Sequence, residues 1–217
     1  MPRYIDIVAP ESEEQLELMV NRAISLGFGA VGVVGDFPDL PNGTFRVSIM
    51  KPSDIPREAR KIRGKVRLLL SSPKTLEESR KVTFSKLVDG VVASYDTGRP
   101  NFDYVSAKQL KRNEGALLVP VAWMIRKMLE EPHVIRNVRL EVRIALKAGL
   151  YPVIASMARD VREVVPPRLL VSFGEFILDL KRDQAKSMVK DFPSYLISEE
   201  RRLRTKGVAL DEVQGSH

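Results

Sequence analysis

Short apolar segments alternate with longer segments of helical periodicity along most of this chain, and this alternation restricts the possible folds more than any other feature. The apolar segments predict seven strands, at residues 4–8, 30–34, 45–50, 66–70, 90–93, 116–121 and 152–155. Two of them, VRLLL at 66–70 and GVVAS at 90–94, lack the alternation of a half-exposed strand. Unbroken apolar strands are typical of a parallel sheet that is buried on both faces, so the sequence predicts an α/β architecture.

Helices are predicted between most of these strands, at residues 12–26, 56–62, 76–87, 104–112, 122–130 and 134–148. Between the second and third strands the segment VVGDFPDLPNG is expected to form an irregular turn in place of a helix. A complete eight-stranded barrel usually needs ~250 residues, and this chain has 217. We therefore predict an abbreviated or distorted TIM-type barrel of about seven parallel strands with surrounding helices. A doubly wound open sheet is the structural alternative.

The carboxy-terminal part of the chain has no further strand pattern. Residues 167–180 and 184–204 are predicted to be helices that close the end of the barrel. We expect a single α/β barrel domain over residues 1–206 and a flexible polar tail over residues 207–217. No run approaches the ~20 apolar residues of a membrane-spanning helix. A cytoplasmic protein with no membrane partner is therefore expected.

The charge of the chain favours an anionic partner. The formal net charge is +7 and the isoelectric point is about 9.7. The first 40 residues contain two basic and seven acidic residues, a net charge of −5, which leaves +12 for the other 177 residues. Such asymmetry predicts an acidic side and a basic remainder, so an RNA and a protein partner would use different faces.

The residues needed for an active site are scarce, so no catalytic residue and no metal site is predicted. The chain has no cysteine and only two histidines, which excludes thiol nucleophiles and a metal centre built from several histidines. His133 is expected at the surface, and Asp6 in the first strand is expected to have a structural role. No GxGxxG or GxxxxGK[ST] motif connects a strand to a helix, which argues against a nucleotide-binding fold.

Basic residues form the candidate binding surface. In a barrel, the loops at the carboxyl ends of the strands converge on one rim, and several of these loops contain lysine or arginine. A predicted helix adds further cations at helical spacing. The predicted RNA-binding residues are Lys51, Lys74, Arg99, Lys108, Lys111, Arg112, Arg159, Arg162 and Arg168. Three other basic groups, on the helices at 56–62 and 134–148 and at 201–206, are expected to be solvated.

The order of these segments resembles a known family. Its markers are an opening strand with Asp6, a first helix that ends in LGF at 26–28, LLLSSPK at 68–74, GVVAS at 90–94 and a strand that ends at Ser156. The segment from 167 to 193 adds a proline, a helix with a glycine and a Gln-Ala-Lys helix that ends in proline. The matching residues there are Pro167, Leu170, Gly174, Gln184, Ala185, Lys186 and Pro193. Together they resemble the barrel subunit of archaeal and eukaryotic ribonuclease P, called protein component 3 in archaea.

The chain departs from this family's pattern at three positions. Ser156 is followed by Met157 where the family often has a second serine. Val165 stands where the family has an arginine, and Leu169 where it has an aspartate. Arg162 and Arg168 are the candidates to replace the missing arginine.

The resemblance implies a subunit of a ribonucleoprotein that removes 5′ leaders from precursor tRNA. In that complex the RNA, with magnesium, performs the chemistry. The barrel protein binds no cofactor, does not cut on its own, and stabilises the catalytic RNA together with a second small protein subunit, as a heterodimer or heterotetramer. The alternative from another class is a stand-alone barrel phosphoesterase or hydrolase that uses Asp6 and the cations of the rim. A purely structural interaction protein is the third possibility.

Overall fold

Seven parallel strands form one continuous sheet in the computed structural model, which describes residues 3–206 apart from the side chains of 203–206. The strands are β1 (Ile5–Val8), β2 (Ala30–Val34), β3 (Thr44–Met50), β4 (Leu68–Ser71), β5 (Gly90–Val92), β6 (Ala116–Pro120) and β7 (Val153–Ala155). They are hydrogen-bonded to one another in chain order. All seven predicted strands are confirmed, as is the parallel α/β architecture. The segment 207–217, expected to be a flexible tail, lies outside the described residues.

Helices follow most strands and cover the outside of the sheet. They are α1 (Glu13–Ser25), α2 (Ile55–Ile62), α3 (Leu76–Thr83), α4 (Tyr104–Arg112), α5 (Val121–Met128), α6 (His133–Lys147), α7 (Pro167–Phe176), α8 (Arg182–Val189), α9 (Asp191–Leu196) and α10 (Glu199–Lys206). A single 3-10 turn, Val161–Glu163, precedes α7. The connection between β2 and β3 has no helix, as predicted. No helix within residues 3–206 combines the length and apolar character needed to cross a membrane.

Residues that follow β7 close the sheet onto β1. The backbone N–H of Met157 donates to the carbonyl of Ile7 at 2.8 Å, and that of Ala9 donates to the carbonyl of Ala158 at 2.7 Å. Val8 and Ala158 form a parallel bridge. The sheet is therefore a nearly closed seven-stranded barrel, which confirms the predicted fold and excludes the open sheet.

Alternate side chains of the strands pack in two separate clusters. The outer cluster joins the strands to the helices, because strand residues such as Leu69 and Val91 share it with helical residues such as Met19. The inner cluster contains the strand residues that adjoin these in sequence, such as Leu68, Leu70 and Val92. Its buried strand members are Ile7, Val47, Leu68, Leu70, Val92, Ala116, Leu118, Val153 and Ala155. Because side chains alternate along a strand, the inner cluster fills the barrel, which is a packed core and not a channel.

Side chains from other elements cover both ends of the inner cluster. Tyr95, after β5, and Trp123, in the first turn of α5, pack against it at the carboxyl end, with their ring centres 5.1 Å apart. Leu196 of α9 packs against it together with Phe192 and Ile197. This contact confirms that carboxy-terminal helices close one end of the barrel.

The prediction of one helix over residues 184–204 was wrong, because this segment forms α8, α9 and α10. Proline lacks a backbone N–H and is tolerated in the first turn of a helix but not in the interior. Pro193 accordingly lies at the start of α9. A new helix begins after Ser198, whose hydroxyl accepts a hydrogen bond from the backbone N–H of Arg201 at 3.3 Å.

Two arginines of α10 attach this helix to the barrel. Arg201 and Arg202 are each only 1% exposed, so the prediction that the run at 201–206 is a solvated surface was wrong for these two residues. Arg201 donates to the buried carboxylate of Asp89 at 2.9 Å, and Arg63 pairs with the same carboxylate. Arg202 donates to the carbonyl of Val66 at 2.7 Å. These charges hold the fold together and are removed from the binding surface.

Candidate nucleic-acid interface

Asp6 is a structural carboxylate and not a surface acid. Ile7 belongs to the inner cluster, so the alternation of side chains places Asp6 between the barrel and its helices. It is fully buried and accepts hydrogen bonds from the backbone N–H and the hydroxyl of Ser156, both at 2.6 Å, and from Ile7 N–H at 2.9 Å. Burial raises the pKa of Asp6 to about 6 against the opposing effect of these hydrogen bonds. The expected structural role of Asp6 is confirmed.

A second buried carboxylate fixes the loop after β5. Glu141 of α6 accepts hydrogen bonds from the backbone N–H of Ser94 at 2.8 Å, from the Ser94 hydroxyl, and from the N–H groups of Asn101 and Phe102 at 2.9 and 3.1 Å. Burial raises its pKa, and the hydrogen bonds oppose this increase. Glu141 was absent from the sequence analysis. Glu141 lies three residues after Val138 and four before Ala145, on the apolar stripe of α6. This spacing was the signal in the sequence that its side chain is buried.

The carboxyl end of the barrel, where barrel enzymes place their active sites, is occupied by side chains. Tyr95 and Trp123 lie across the inner cluster there. Burial and the neighbouring charge of Asp96 raise the pKa of Tyr95 to about 12. Within the described part of the chain, no group of three or more His, Cys, Asp or Glu side chains is placed to hold a metal ion. The rings of Tyr95 and Trp123 therefore cover the packed core at this end of the barrel.

Six of the nine predicted RNA-binding residues belong to loops or helix starts that follow the carboxyl ends of the strands. We call them the rim cations: Lys51, Lys74, Arg99, Arg159, Arg162 and Arg168. All six are exposed. The barrel topology thus places them on the side of the molecule that the sequence analysis predicted, while their contact with RNA stays a prediction.

Three rim cations are already engaged by protein groups. Lys74 pairs with Asp96 and lies 5.5 Å from the ring centre of Tyr95. Arg159 lies 5.0 Å from the ring centre of Trp123. Arg162 is exposed and donates to the carboxylate of Asp160 at 2.9 Å. This ion pair raises the pKa of the guanidinium. These contacts order the three side chains, and the two ion pairs neutralise part of the charge of Lys74 and Arg162.

The other three rim cations, Lys51, Arg99 and Arg168, make no ion pair within the described residues. Each side chain is exposed and ends in solvent. An unpaired cation can contact a phosphate without first breaking an ion pair with a carboxylate. These three are therefore the rim positions with the most charge available to a polyanion.

The remaining predicted residues are separate from the rim. Lys108, Lys111 and Arg112, which we call the α4 cations, are exposed along α4. Lys108 lies 5.4 Å from the ring centre of Tyr104 at the start of that helix. Because α4 runs from the carboxyl end of β5 back towards the amino end of β6, Lys111 and Arg112 lie near the end of the barrel opposite the rim. The nine predicted residues consequently form two surfaces.

The acidic excess of the first 40 residues is partly collected on one side of the barrel. Glu13 and Glu17 of α1 and Asp39 of the β2–β3 connection line a groove of about 550 Å³. The groove lies where a helix is missing between β2 and β3. A surface of this charge repels a polyanion.

The fold and the site together define an α/β barrel with a filled interior and cationic outer surfaces. No family profile matches the sequence of this chain, and no curated protein matches it either. Among solved structures, the chain is similar to a protein chain in a cryo-EM structure of archaeal ribonuclease P with mature tRNA. The TM-score is 0.72 at 15% sequence identity, and the match covers 98% of this chain and 99% of that chain.

The barrel is also similar to two proteins of other classes. A prolidase complexed with N-methylphosphonate-L-proline matches with a TM-score of 0.61 at 10% identity. An amidohydrolase matches with a TM-score of 0.59 at 10% identity. Both matches cover 91% of this chain and 74% of the other chain. At these identities the likenesses establish the fold. The match to the chain of archaeal ribonuclease P confirms the sequence resemblance at that level.

Proposed function

We propose that this chain is a protein subunit of ribonuclease P that supports RNA-catalysed removal of the 5′ leader from precursor tRNA. The observation that carries the proposal is the end-to-end likeness to a chain of archaeal ribonuclease P, over 98% of this chain and 99% of the other. The prolidase and amidohydrolase matches leave about a quarter of those chains without a counterpart, at 74% coverage. The family pattern in residues 167–193 supports the same conclusion.

The part of this chain in that reaction is to hold folded RNA by its backbone. The unpaired cations Lys51, Arg99 and Arg168 face solvent on the rim and are suited to phosphate contacts. Magnesium is assigned to the catalytic RNA, which performs the chemistry, and this chain binds no cofactor. A second small protein subunit completes the assembly, as a heterodimer or heterotetramer, on a face that the RNA does not use.

The hydrolase alternative is not favoured by the geometry. The carboxylate of Asp6, which that alternative needs at the barrel mouth, is fully buried and hydrogen-bonded to Ser156. Tyr95 and Trp123 cover the inner cluster at the mouth. The described residues also contain no group of side chains suited to a metal. A hydrolytic centre would therefore require rearrangement of the barrel end.

Reconstitution tests the proposal. The catalytic RNA and the partner subunit are assayed for 5′ leader cleavage with and without this chain, across a magnesium series. We expect the chain to raise the cleavage rate or lower the magnesium requirement, and the pure chain to leave precursor tRNA intact. If neither rate nor magnesium requirement changes, or if the pure chain turns over a phosphodiester, the proposal fails.

A matched pair of variants, compared in an RNA-binding assay, locates the RNA surface. Charge reversal of Arg99, Arg159 and Arg162 is compared with charge reversal of Arg57, Arg60 and Lys61 on α2, so the net charge changes equally. We expect the rim variant to lose far more RNA affinity. An equal loss would mean that RNA does not bind at the rim.

A further inference from the structure

Two aromatic rings form a stack at the end of the barrel opposite the rim. Tyr151 precedes β7 and Phe192 belongs to α9, and their ring centres lie 4.0 Å apart with an angle of 11° between the ring planes. Phe192 also packs on the barrel core, whereas Tyr151 is 49% exposed. Because one face of Tyr151 rests on Phe192, its other face is available to solvent. The pair is a preformed stacking platform.

A pocket of about 280 Å³ adjoins these rings. Its walls are mainly apolar and include Leu150, Gly115 and the ring of Tyr195 beside the stacked pair. This volume is at the small end of the range for ligand pockets and suits one ring system, not a whole dinucleotide cofactor. Glu114 lines the pocket and accepts a hydrogen bond from the Tyr195 hydroxyl. Here the structure provides an aromatic site that the sequence analysis missed.

One unpaired cation lines this pocket, and two more lie close to its lining residues in the chain. Lys111 lines it, and its Nζ lies over Gly149, 2.5 Å from the position that a Cβ would occupy there. Arg112 at the end of α4 and Lys147 at the end of α6 are exposed nearby in the chain. None of these three side chains makes an ion pair with any described residue. On the rim, by comparison, two of the six cations, Lys74 and Arg162, are each paired with an aspartate.

We propose that this aromatic pocket binds one unpaired nucleotide of an RNA, with the base stacked on Tyr151 and the adjoining phosphate contacted by Lys111. The inference rests on the proposed function and adds to it a second RNA surface. Aromatic rings stack on every base, and a neighbouring lysine compensates the phosphate charge. An apolar side chain of a partner protein would use the rings but not the unpaired Lys111 in the pocket wall. The charge around the pocket therefore favours RNA.

Binding of the full chain to ribonuclease P RNA, measured over a series of salt concentrations, tests this site. Tyr151→Leu keeps apolar volume but removes stacking, and we expect it to weaken binding roughly 5- to 150-fold without a change in salt dependence. Tyr151→Phe retains the ring and is expected to bind like the wild type. Lys111→Ala is expected to lower the slope of log K against log salt by about one.

Tyr104→Leu is the matched control. Tyr104 is 46% exposed and also lies beside a lysine, Lys108, but the structure gives it no stacked ring. We expect this variant to bind RNA like the wild type. Circular dichroism and the unfolding midpoint establish that each variant is folded. If Tyr151→Leu does not fold, an unchanged salt slope for Lys111→Ala overturns the inference by itself.

The outcomes separate this inference from the proposed function. If the wild-type chain does not bind the RNA, the proposed function fails. If the wild type binds and Tyr151→Leu binds equally well, only the nucleotide site is wrong. If Tyr151→Leu binds RNA normally but no longer binds the second protein subunit, the pocket is a protein interface, and the inference is overturned in that form.

Discussion

Ser156 donates two hydrogen bonds to Asp6, one from its backbone N–H and one from its hydroxyl, both at 2.6 Å. The two residues are 150 positions apart in the chain, and they join the first strand to the segment that follows the last one. A buried carboxylate thus lies where the barrel closes. Its stability contribution depends on pH because the pKa of Asp6 is raised to about 6.

The first prediction concerns Asp6→Asn. Between about pH 4 and pH 6 the folded state holds a proton on Asp6 that the unfolded state has lost, so this group makes the protein less stable as pH rises. Asparagine keeps an acceptor for the two backbone N–H groups but does not titrate. We therefore expect Asp6→Asn to be less stable, relative to wild type, at pH 4 than at pH 7. The free energy of unfolding of the variant minus that of the wild type should be lower at pH 4 by about 2 kcal/mol.

Urea unfolding of both proteins at these two pH values measures the difference. Asp6→Ala is the control for the hydrogen bonds, because it leaves the N–H groups of Ile7 and Ser156 without their acceptor. We expect it to be destabilised by about 1–3 kcal/mol or more at both pH values. Parallel pH profiles for wild type and Asp6→Asn would show that the pKa of Asp6 is not raised.

The second prediction concerns Gly174→Ala, at a position of the family pattern. A Cβ at Gly174 would lie 2.8 Å from the Cβ of Ala185 and 3.1 Å from the Cδ1 of Ile154. Helices α7 and α8 therefore need glycine at this crossing, and the substitution is expected to cost about 1–3 kcal/mol of unfolding free energy. Gly98→Ala is the control, since no atom outside the adjoining residues lies within 4 Å of its added Cβ. Equal unfolding midpoints for the two variants would contradict the close contact.

The strands were predictable because each is an apolar run with its own local signal. Residues 66–70 and 90–94 are buried on both sides, which removes alternation and makes a parallel strand recognisable. Local signals failed at residues 184–204, where helical periodicity continues across two breaks. The breaks depend on Pro193 and on the cap at Ser198, and the pattern of apolar residues does not record them.

The candidate site was predictable only in outline. Basic residues in loops after strands indicate a rim, since the fold places all such loops at one end. The state of each charge depends on residues distant in sequence, such as Asp96, which pairs with Lys74 from 22 positions away. The stack of Tyr151 on Phe192 likewise joins two segments that no spacing rule connects. Arg201 is buried against Asp89 because of where α10 packs on the barrel, and no local pattern in the sequence indicates that position.

The third prediction concerns Asp89→Asn. Asp89 is fully buried between the guanidinium groups of Arg63 and Arg201. The substitution leaves two buried cations without their carboxylate, a change that costs about 3–5 kcal/mol of unfolding free energy. Glu58→Gln is the control, because its pair with Lys61 at 3.0 Å is on the surface and is worth less than about 1 kcal/mol. A loss of similar size in both variants, measured by urea unfolding, would contradict the role of Asp89.

The last prediction separates free from paired cations on the rim. Lys51→Ala with Arg99→Ala removes two cations that have no ion pair among the described residues. Lys74→Ala with Arg162→Ala removes two that are paired with Asp96 and Asp160.

Each phosphate contact adds about 0.7 to 0.9 to the salt slope of nucleic-acid binding, because a neutralised phosphate releases its counterions. A cation that already neutralises a carboxylate must leave it before it displaces those ions, so its contribution is smaller. We therefore expect the first pair of substitutions to lower the slope of log K against log salt by up to about two, and the second by less than about one. Both double variants lose the same net charge, so the two salt slopes can be compared directly. A larger decrease of the slope for the Lys74 and Arg162 variant would contradict this prediction. It would mean that RNA binding breaks the two aspartate pairs and that the side chains of Lys74 and Arg162 contact phosphates.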